Sequence, residues 1–392
     1  MSAARREVIP LSLYLHLPWC VRKCPYCDFN SHAAGNDPPL ERYVDALIAE
    51  LDAEAIRAGS RPLVSVFLGG GTPSLFSGEQ IGRLLEAVAA RFTLRGDAEI
   101  TLEANPGTVE RGRFAEYRAA GVNRVSLGAQ SFDDASLAAL GRVHTAAETL
   151  AAIEEARRAG LDNVNLDVMF ALPGQSVAGA LADVSAALAL EPAHVSHYQL
   201  TLEPNTRFYH APPPLPDAET AWEMQERCHA ALAAAGYRRY EVSAFARPGR
   251  ECRHNLNYWE FGDYLAAGAG AHGKITDPDG LVRRYARPAS PRAWMEAALG
   301  GRVADAAPVA AGDLAFEYML NALRLTRGFA TVDFTARTGL DAAALAPGLA
   351  AARRRELIES GEAGRLRPTP LGMRFLNDLQ ALFLPSPGAA SG

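Results

Sequence analysis

The sequence predicts an α/β protein, a partial barrel of about six β/α units followed by a C-terminal helical or winged-helix-like domain. Short strand-like runs alternate with alanine-rich amphipathic segments, which is typical of a parallel sheet covered by helices. Glycine and polar residues gather where the predicted strands end, at the edge that carries the chemistry of β/α barrels. From about residue 291 this alternation stops and the remaining chain is mainly helical in pattern.

Six runs of β-branched, aromatic and other apolar residues are short enough to be strands of one sheet. In order they are LSLYLHL (11–17), VSVFLGG (64–70), EITLEANP (99–106), RVSLGAQS (124–131), NVNLDVMF (163–170) and HVSHYQLTLEP (194–204). The predicted helices cover 37–58, 78–91, 109–119, 146–159, 176–190 and 217–235. Six units are fewer than the eight of a complete barrel, so we expect a barrel that is open on one side.

The domain organisation follows from the same patterns. We predict a partial barrel over 1–245, a segment over 246–290 with the motifs HNLNYW and GAGAHG, a helical domain over 291–384 and a disordered tail over 385–392. The HNLNYW motif is expected to lie in a loop. The late stretch PTPLGMRFLNDLQALFL is similar to the last part of a winged-helix module.

Composition limits the class of protein. With 39 Lys and Arg against 45 Asp and Glu, the net charge of −6 gives no support for a general nucleic-acid-binding surface. A hydrophobic content of 48% is ample for a core, and no apolar run is long enough to predict a membrane-spanning helix. The basic N-terminus lacks the apolar region of a signal peptide. Five cysteines, an odd number with three of them clustered, do not form a secreted disulfide framework, so we expect a reducing cytoplasm.

Three cysteines lie close together in the loop after the first predicted strand. They follow a C-x3-C-x2-C spacing and are Cys20, Cys24 and Cys27. One face of a helix would also give this spacing, but Pro18 and Pro25 disfavour a helix, in which proline costs about 3 kcal/mol. A structural zinc site normally takes four ligands, and Cys228 and Cys252 are isolated in the sequence. We therefore favour an iron–sulfur cluster with three thiolate ligands and one open iron.

The cysteine spacing resembles that of the radical S-adenosylmethionine (radical SAM) superfamily. The resemblance implies a 4Fe–4S cluster whose open iron holds the methionine end of the cofactor. It extends over about residues 10–384 to the HemN/HemW group, which includes the oxygen-independent coproporphyrinogen oxidases. The segments that carry it are YLHLPWCVRKCPYCDF, GGGTPSLF, LEANPG, GAQSF, LGRVH, NLDVMFALPGQ and HYQLTLEPNT.

Further residues are assigned to S-adenosylmethionine by the same resemblance. They are Tyr14, Tyr26, Gly70, Gly71, Thr72, Glu103, Gln130, Arg142 and Asp167. The glycine segment would meet the amino group of the cofactor, and the guanidinium of Arg142 has the shape to pair with its carboxylate. Taken singly, each of these residues is more often a strand-end cap or a surface ion pair.

Within the group, three departures from the oxidases favour the heme-chaperone branch. Phe29 stands where the oxidases carry a further cysteine, and only 19 residues precede Cys20, fewer than the oxidases have. The segment HNLNYW matches an HNxxYW motif that is associated with heme binding. The implied heme-binding residues are His254, Asn255, Tyr258 and Trp259. Neutral imidazole is a good axial ligand of heme iron, and Cys252 is a second candidate ligand.

The function implied by the resemblance is binding of heme and its transfer to acceptor proteins, with respiratory enzymes among the candidate acceptors. The alternative is a radical oxidase that acts on coproporphyrinogen III or a related tetrapyrrole. Enzymatic activity stays open, although coproporphyrinogen oxidation is not expected. We expect no nucleic-acid partner and at most a peripheral contact with membranes, and the sequence is compatible with a homodimer.

Overall fold

The computed structural model describes residues 9–107, 112–302 and 304–385. Residues 386–392 of the predicted tail and residues 109–111 of one predicted helix lie outside the described residues. Over the described part of the chain, no helix is both long enough and apolar enough to cross a bilayer.

A twelve-stranded, mostly parallel sheet forms the centre of the fold, and the predicted α/β partial barrel is confirmed. In chain order the strands of the structure are β1 (Leu11–Leu17), β2 (Trp19–Cys20), β3 (His32–Ala33), β4 (Leu63–Gly70), β5 (Leu94–Ala104), β6 (Arg124–Gln130), β7 (Val164–Phe170), β8 (His194–Gln199), β9 (Arg238–Arg239), β10 (Ala244–Ala246), β11 (Asp263–Ala267), β12 (His272–Thr276), β13 (Val282–Ala286), β14 (Ala307–Pro308), β15 (Ile358–Ser360) and β16 (Leu366–Pro368). In space the sheet runs β14-β13-β12-β11-β1-β4-β5-β6-β7-β8-β10-β9, and the strands from β11 to β8 are parallel.

Helices cover the outer face of this sheet and form most of the C-terminal part. In chain order they are α1 (Leu40–Ala58), α2 (Gly78–Arg91), α3 (Phe114–Ala119), α4 (Asp134–Ala139), α5 (Ala146–Arg158), α6 (Val177–Ala189), α7 (Arg207–His210), α8 (Ala218–Ala234), α9 (Arg253–Trp259), α10 (Pro291–Leu299), α11 (Ala311–Ala322), α12 (Thr331–Thr338), α13 (Ala346–Arg354), α14 (Pro370–Arg374) and α15 (Leu376–Ala381). Several start at a side-chain cap. Ser77 and Gln80 form a capping box before α2, and Thr145 and Glu148 form one before α5.

Successive side chains of β1 point alternately to the hydrophobic core and to the interior of the barrel. On β1, the leucines at positions 11, 13, 15 and 17 are buried in the main hydrophobic core, which α1 and α2 also line. Ser12, Tyr14 and His16 lie on the opposite face, because successive side chains of a strand point to opposite sides. This face lines the inside of the partial barrel.

Two of the differences from the expectation concern the open edge of the sheet and the HNLNYW motif. Strand β11 extends the parallel sheet beyond β1, with Leu11 paired to Asp263, whereas six strands were predicted. The HNLNYW motif forms helix α9 and not a loop. Asparagine is a poor helix former, so local propensity gives this helix little support. Burial of His254 and Asn257, whose side-chain amide donates to the carbonyl of Asp263 at 2.8 Å, favours the helix instead.

The C-terminal part has a second hydrophobic core. Tyr318, Phe329 and Phe334 are buried at its centre, and β15 pairs antiparallel with β16 beside the helices. Phe261 and Val282 from the barrel side belong to the same core. The C-terminal domain therefore packs directly against the segment that carries the HNLNYW motif.

Candidate cofactor site

A cavity of about 630 Å³ lies at the carboxyl ends of the central parallel strands. We call it the cofactor cavity. Its lining includes all three predicted cluster cysteines and eight of the nine residues predicted for S-adenosylmethionine: Cys20, Cys24, Cys27, Tyr26, Gly70, Gly71, Thr72, Glu103, Gln130, Arg142 and Asp167. Phe29 also lines the cavity and is 61% exposed, so an apolar ring stands at its mouth.

The cysteine loop is closed at its base by a short strand pair. Trp19 and Cys20 pair in parallel with His32 and Ala33. Backbone hydrogen bonds from His32 to the carbonyl of Pro18 and from residue 34 to the carbonyl of Cys20, each 2.8 Å long, fix the two ends. The chain between them forms a loop beside β4, which brings the three thiols to the cavity.

Each thiol lies within reach of a polar side chain. The hydroxyl of Thr72 donates to Sγ of Cys20 at 3.5 Å. The guanidinium of Arg142 donates to Sγ of Cys24 at 3.5 Å. The side-chain oxygen of Ser31 lies 3.6 Å from Sγ of Cys27. Donors of this kind stabilise the thiolate form, which is the form that ligates iron.

The thiols are also close to one another. Burial raises the pKa of Cys20, and the neighbouring charges of Cys27 and Cys24 raise it further. In the part of the chain that the structure describes, no three Cys, His, Asp or Glu side chains converge closely enough to hold a single metal ion. A cluster of several irons is larger than one ion, so three thiolates around a 630 Å³ cavity are a donor set that fits it.

Gly70 occupies a position that a larger residue cannot take. Its φ of 118° is in the region that favours glycine, and a Cβ atom there would lie 2.4 Å from the ring of His16. The ring of His16 is held in turn by a hydrogen bond from the hydroxyl of Tyr14 and by the carbonyl of Asn30, both at 2.9 Å. The glycine is therefore required by packing within the protein, before any cofactor is considered. Tyr14 does not line the cofactor cavity but supports it through His16.

Asn105 connects two of the predicted cofactor residues and was missed by the sequence analysis. Its side-chain amide donates to the hydroxyl of Thr72 at 2.7 Å, and its carbonyl oxygen accepts from Arg142. Arg142 also donates to the carbonyl of Gly128 at 3.0 Å. Asn105 follows Glu103 in the strand-end motif LEANP, which was the available signal.

Gln130, the last residue of β6, and Asp167, in the middle of β7, lie in the cavity wall. Gln130 has a φ of 64°, which is a strained conformation for a residue with a side chain. Its side-chain oxygen accepts a hydrogen bond from Tyr198 at 3.0 Å. Asp167 accepts hydrogen bonds from Ser126 at 3.3 Å and from Asn165 at 2.9 Å. Side chains of β6, β7 and β8 therefore fix both groups before any ligand binds, although Tyr198, Ser126 and Asn165 were not predicted.

Glu103 is the most strongly perturbed carboxyl group in the wall. Burial, reinforced by the charge of Asp167, raises its pKa to about 7. The backbone N–H of Gly70 donates to it at 2.9 Å and opposes the shift. The group therefore changes charge near neutral pH, inside the cavity that is predicted to hold a cationic sulfonium cofactor.

We expect Glu103→Gln to change how stability depends on pH in the cofactor-free protein. Between about pH 4.5 and 7 the folded carboxyl binds more protons than the unfolded one, so wild-type stability falls as pH rises. The variant lacks this decrease and keeps an acceptor for Gly70. The free energy of unfolding of the variant, relative to that of wild type, should therefore increase by at most about 3 kcal/mol from pH 4.5 to 8. Urea unfolding at both pH values measures this difference, and parallel pH profiles would contradict the assignment.

The four residues predicted for heme lie outside the cofactor cavity. His254 is buried inside the barrel, where its ring stacks 4.8 Å from that of Phe67 and its Nδ1 lies 3.0 Å from the hydroxyl of Ser65. Burial lowers the pKa of His254 to about 3. Tyr258 stacks on Tyr264 with ring centres 4.0 Å apart. Asn255 and Trp259 are half-buried on the same helix.

Arg324 joins the two regions and was also missed by the sequence analysis. It lines the cofactor cavity, and its guanidinium carbon lies 4.2 Å from the centre of the Trp259 ring. Glu241 accepts a hydrogen bond from it at 2.8 Å. Its position after α11 gives no local signal, because only the packing of the C-terminal domain brings it to the barrel.

Comparisons with known proteins show which family the chain belongs to. Residues 14–183 match the radical SAM superfamily, and residues 309–375 match the HemN C-terminal domain. A solved structure of coproporphyrinogen III oxidase (HemN) from Escherichia coli, described as a radical SAM enzyme, superposes with a TM-score of 0.81. It covers 97% of this chain and 92% of that one at 22% identity, so this likeness concerns the fold alone.

Similarity to two bacterial proteins spans almost the full length. The chain is 48% identical to heme chaperone HemW of Escherichia coli (strain K12), over 96% of this chain and 98% of that protein. It is 45% identical to heme chaperone HemW of Haemophilus influenzae, over the same shares of the two chains. The chain therefore belongs to the HemW family within the radical SAM superfamily.

Proposed function

We propose that this protein is a heme chaperone, which binds heme and passes it to acceptor proteins. The observation that carries the proposal is the 48% identity to a protein named heme chaperone HemW over 96% of the chain. Phe29 in the wall of the cofactor cavity supports it, because an apolar ring replaces the additional thiol of the oxidases. The reducing cytoplasm is the proposed compartment, since it keeps unligated thiols reduced.

In this proposal a 4Fe–4S cluster is ligated by Cys20, Cys24 and Cys27, and S-adenosylmethionine lies beside it. When bound together, this pair of groups supplies one-electron cleavage of the sulfonium to a carbon radical. The chain's own residues bind the cofactor and orient it. Arg142 presents a guanidinium for a carboxylate, and Asp167 is an acceptor for hydroxyl groups. Tyr26 packs near Phe208 and offers an aromatic face to a base.

Heme is proposed to bind at helix α9, with His254 as the candidate axial ligand. Its Nε2 has no hydrogen-bond partner among the described atoms, and its low pKa keeps the imidazole neutral, as ligation of iron requires. The ring is covered by Phe67, so ligation needs α9 to move away from β4. Asn255, Tyr258 and Trp259 complete the proposed contact surface on the same helix.

An anaerobic heme titration of the protein with its cluster reconstituted tests this proposal. We expect saturable binding to the wild type and a loss of affinity of about tenfold or more for His254→Ala, because an iron ligand is removed. His210→Ala, an exposed histidine on α7, is the matched control and should bind as the wild type does. Absence of saturable binding by a protein with an intact cluster would rule out the chaperone.

A tetrapyrrole oxidase is the second candidate, because the cofactor cavity keeps the complete set of three cysteines and the wall residues Glu103, Gln130 and Asp167. Its test is anaerobic incubation with coproporphyrinogen III, S-adenosylmethionine and a reductant. Formation of protoporphyrinogen would favour the oxidase.

A further inference from the structure

A second cavity lies between helix α9 and the C-terminal domain. Its volume is about 220 Å³. Three aromatic side chains and three arginines contribute to its lining: Trp259, Tyr318, Phe329, Arg327, Arg337 and Arg365. We call it the arginine pocket. Trp259 belongs to the HNLNYW motif, whereas the arginines belong to the C-terminal domain.

Positive charge exceeds negative charge in the arginine pocket. Its acidic residues are Glu260, which pairs with Arg327, and Asp333, which lies 3.5 Å from Arg365. In the lining of this pocket three guanidinium groups face two carboxylates, and the charges of Glu251 and Asp263 also act on Arg327 and Arg337. The proximity of Arg365 also lowers the pKa of Arg327, after burial as the main cause.

The geometry selects a carboxylate that is attached to a flat apolar body. Guanidinium groups bind carboxylates through two parallel hydrogen bonds. Trp259 adds an aromatic wall, and its indole nitrogen has no hydrogen-bond partner among the described atoms. A volume of about 220 Å³ holds roughly seven waters. That space suits a carboxylate side chain and is too small for a porphyrin ring, which would have to stay at the mouth of the pocket.

We infer that the arginine pocket binds a propionate of heme, so that the C-terminal domain contributes directly to the heme site. The inference rests on the proposed function. It assigns to Arg327 and Arg365 a role as carboxylate ligands, and to Trp259 a role as the wall between that carboxylate and the porphyrin. Arg365 is positioned for this role by its hydrogen bonds to the carbonyl of Gly328, at 2.9 and 3.2 Å.

The test combines variants with a modified ligand. Heme and heme dimethyl ester, which lacks both carboxylates, are titrated anaerobically into the full chain with its cluster. The proteins are wild type, Arg327→Gln, Arg365→Gln and the charge-preserving Arg365→Lys. Arg353→Gln, on the exposed end of α13, is the matched control because it also removes one arginine from the same domain. Absorbance gives the affinity, and circular dichroism checks folding.

We expect each Arg→Gln substitution in the pocket to weaken heme about tenfold and to leave the ester unchanged. Arg365→Lys should recover part of the loss, and Arg353→Gln should behave as wild type. Equal effects of a substitution on heme and on its ester would overturn the inference while leaving the chaperone intact. If an Arg365 variant does not fold, two measurements still test the inference. They are the affinities of Arg327→Gln for heme and its ester, and the ratio of these two affinities in the wild type. Wild type that binds neither ligand would reject the proposed function, and the inference with it.

Discussion

Replacing Cys24 by serine is expected to reduce cluster iron to background while the protein stays folded. The proposed cluster has three ligands, so one substitution removes a third of the thiolates, and a serine hydroxyl is a poor substitute for a soft sulfur ligand. Cys24 lies in the half-buried loop between β2 and β3, where oxygen replaces sulfur with little change of volume. The measurement is iron content and visible absorbance after anaerobic reconstitution.

Cys228→Ala is the matched control for this experiment. Cys228 is fully buried on α8, away from the cofactor cavity, so its loss removes a thiol without removing a proposed ligand. The control should keep its cluster iron even if its unfolding midpoint falls. A Cys24→Ser protein that still showed the full absorbance of a four-iron cluster would refute the ligand assignment.

Much of the fold could be predicted because its signals are local. Each of the six parallel strands β1 and β4–β8 shows as a short apolar run, and the helices between them show helical periodicity. Strand β11 could not be predicted in the same way. Its pairing with β1 joins residues about 250 positions apart, such as Leu11 and Asp263, and depends on the chain after α9 returning to the open edge.

The residues of the candidate site also fall into those that local signals indicated and those that only long-range contacts define. Cysteine spacing and strand-end polar residues indicated most of the cofactor cavity. The residues that hold these groups in place, such as Asn105 and Tyr198, were missed because their role is defined only by contacts across the sheet. Arg324 was missed for a similar reason, since a different domain brings it to the barrel. The assignments to cluster, cofactor and heme stay predictions until ligands are measured.

Gly70→Ala is expected to have the largest effect on stability of the substitutions considered. The residue has a φ of 118°, and an added Cβ would lie 2.4 Å from the imidazole of His16. That ring cannot easily give way, because Tyr14 and Asn30 hold its two nitrogens. Backbone strain and overpacking together should cost about 4 kcal/mol. Urea unfolding of the cofactor-free protein measures this loss.

Gly35→Ala separates the two causes of that loss. Gly35 also has a positive φ, 67°, but no atom lies within 4 Å of the position that a Cβ would take. Strain alone should cost about 1 kcal/mol there. If Gly70→Ala were no more destabilising than Gly35→Ala, the contact with His16 would not be the reason for glycine. Close approach of a ligand would then explain Gly70, and the variant would show its defect in binding of S-adenosylmethionine. A larger loss of stability for Gly70→Ala than for Gly35→Ala, which is the result we expect, would mean that packing against His16 shapes the cofactor cavity before any ligand enters it.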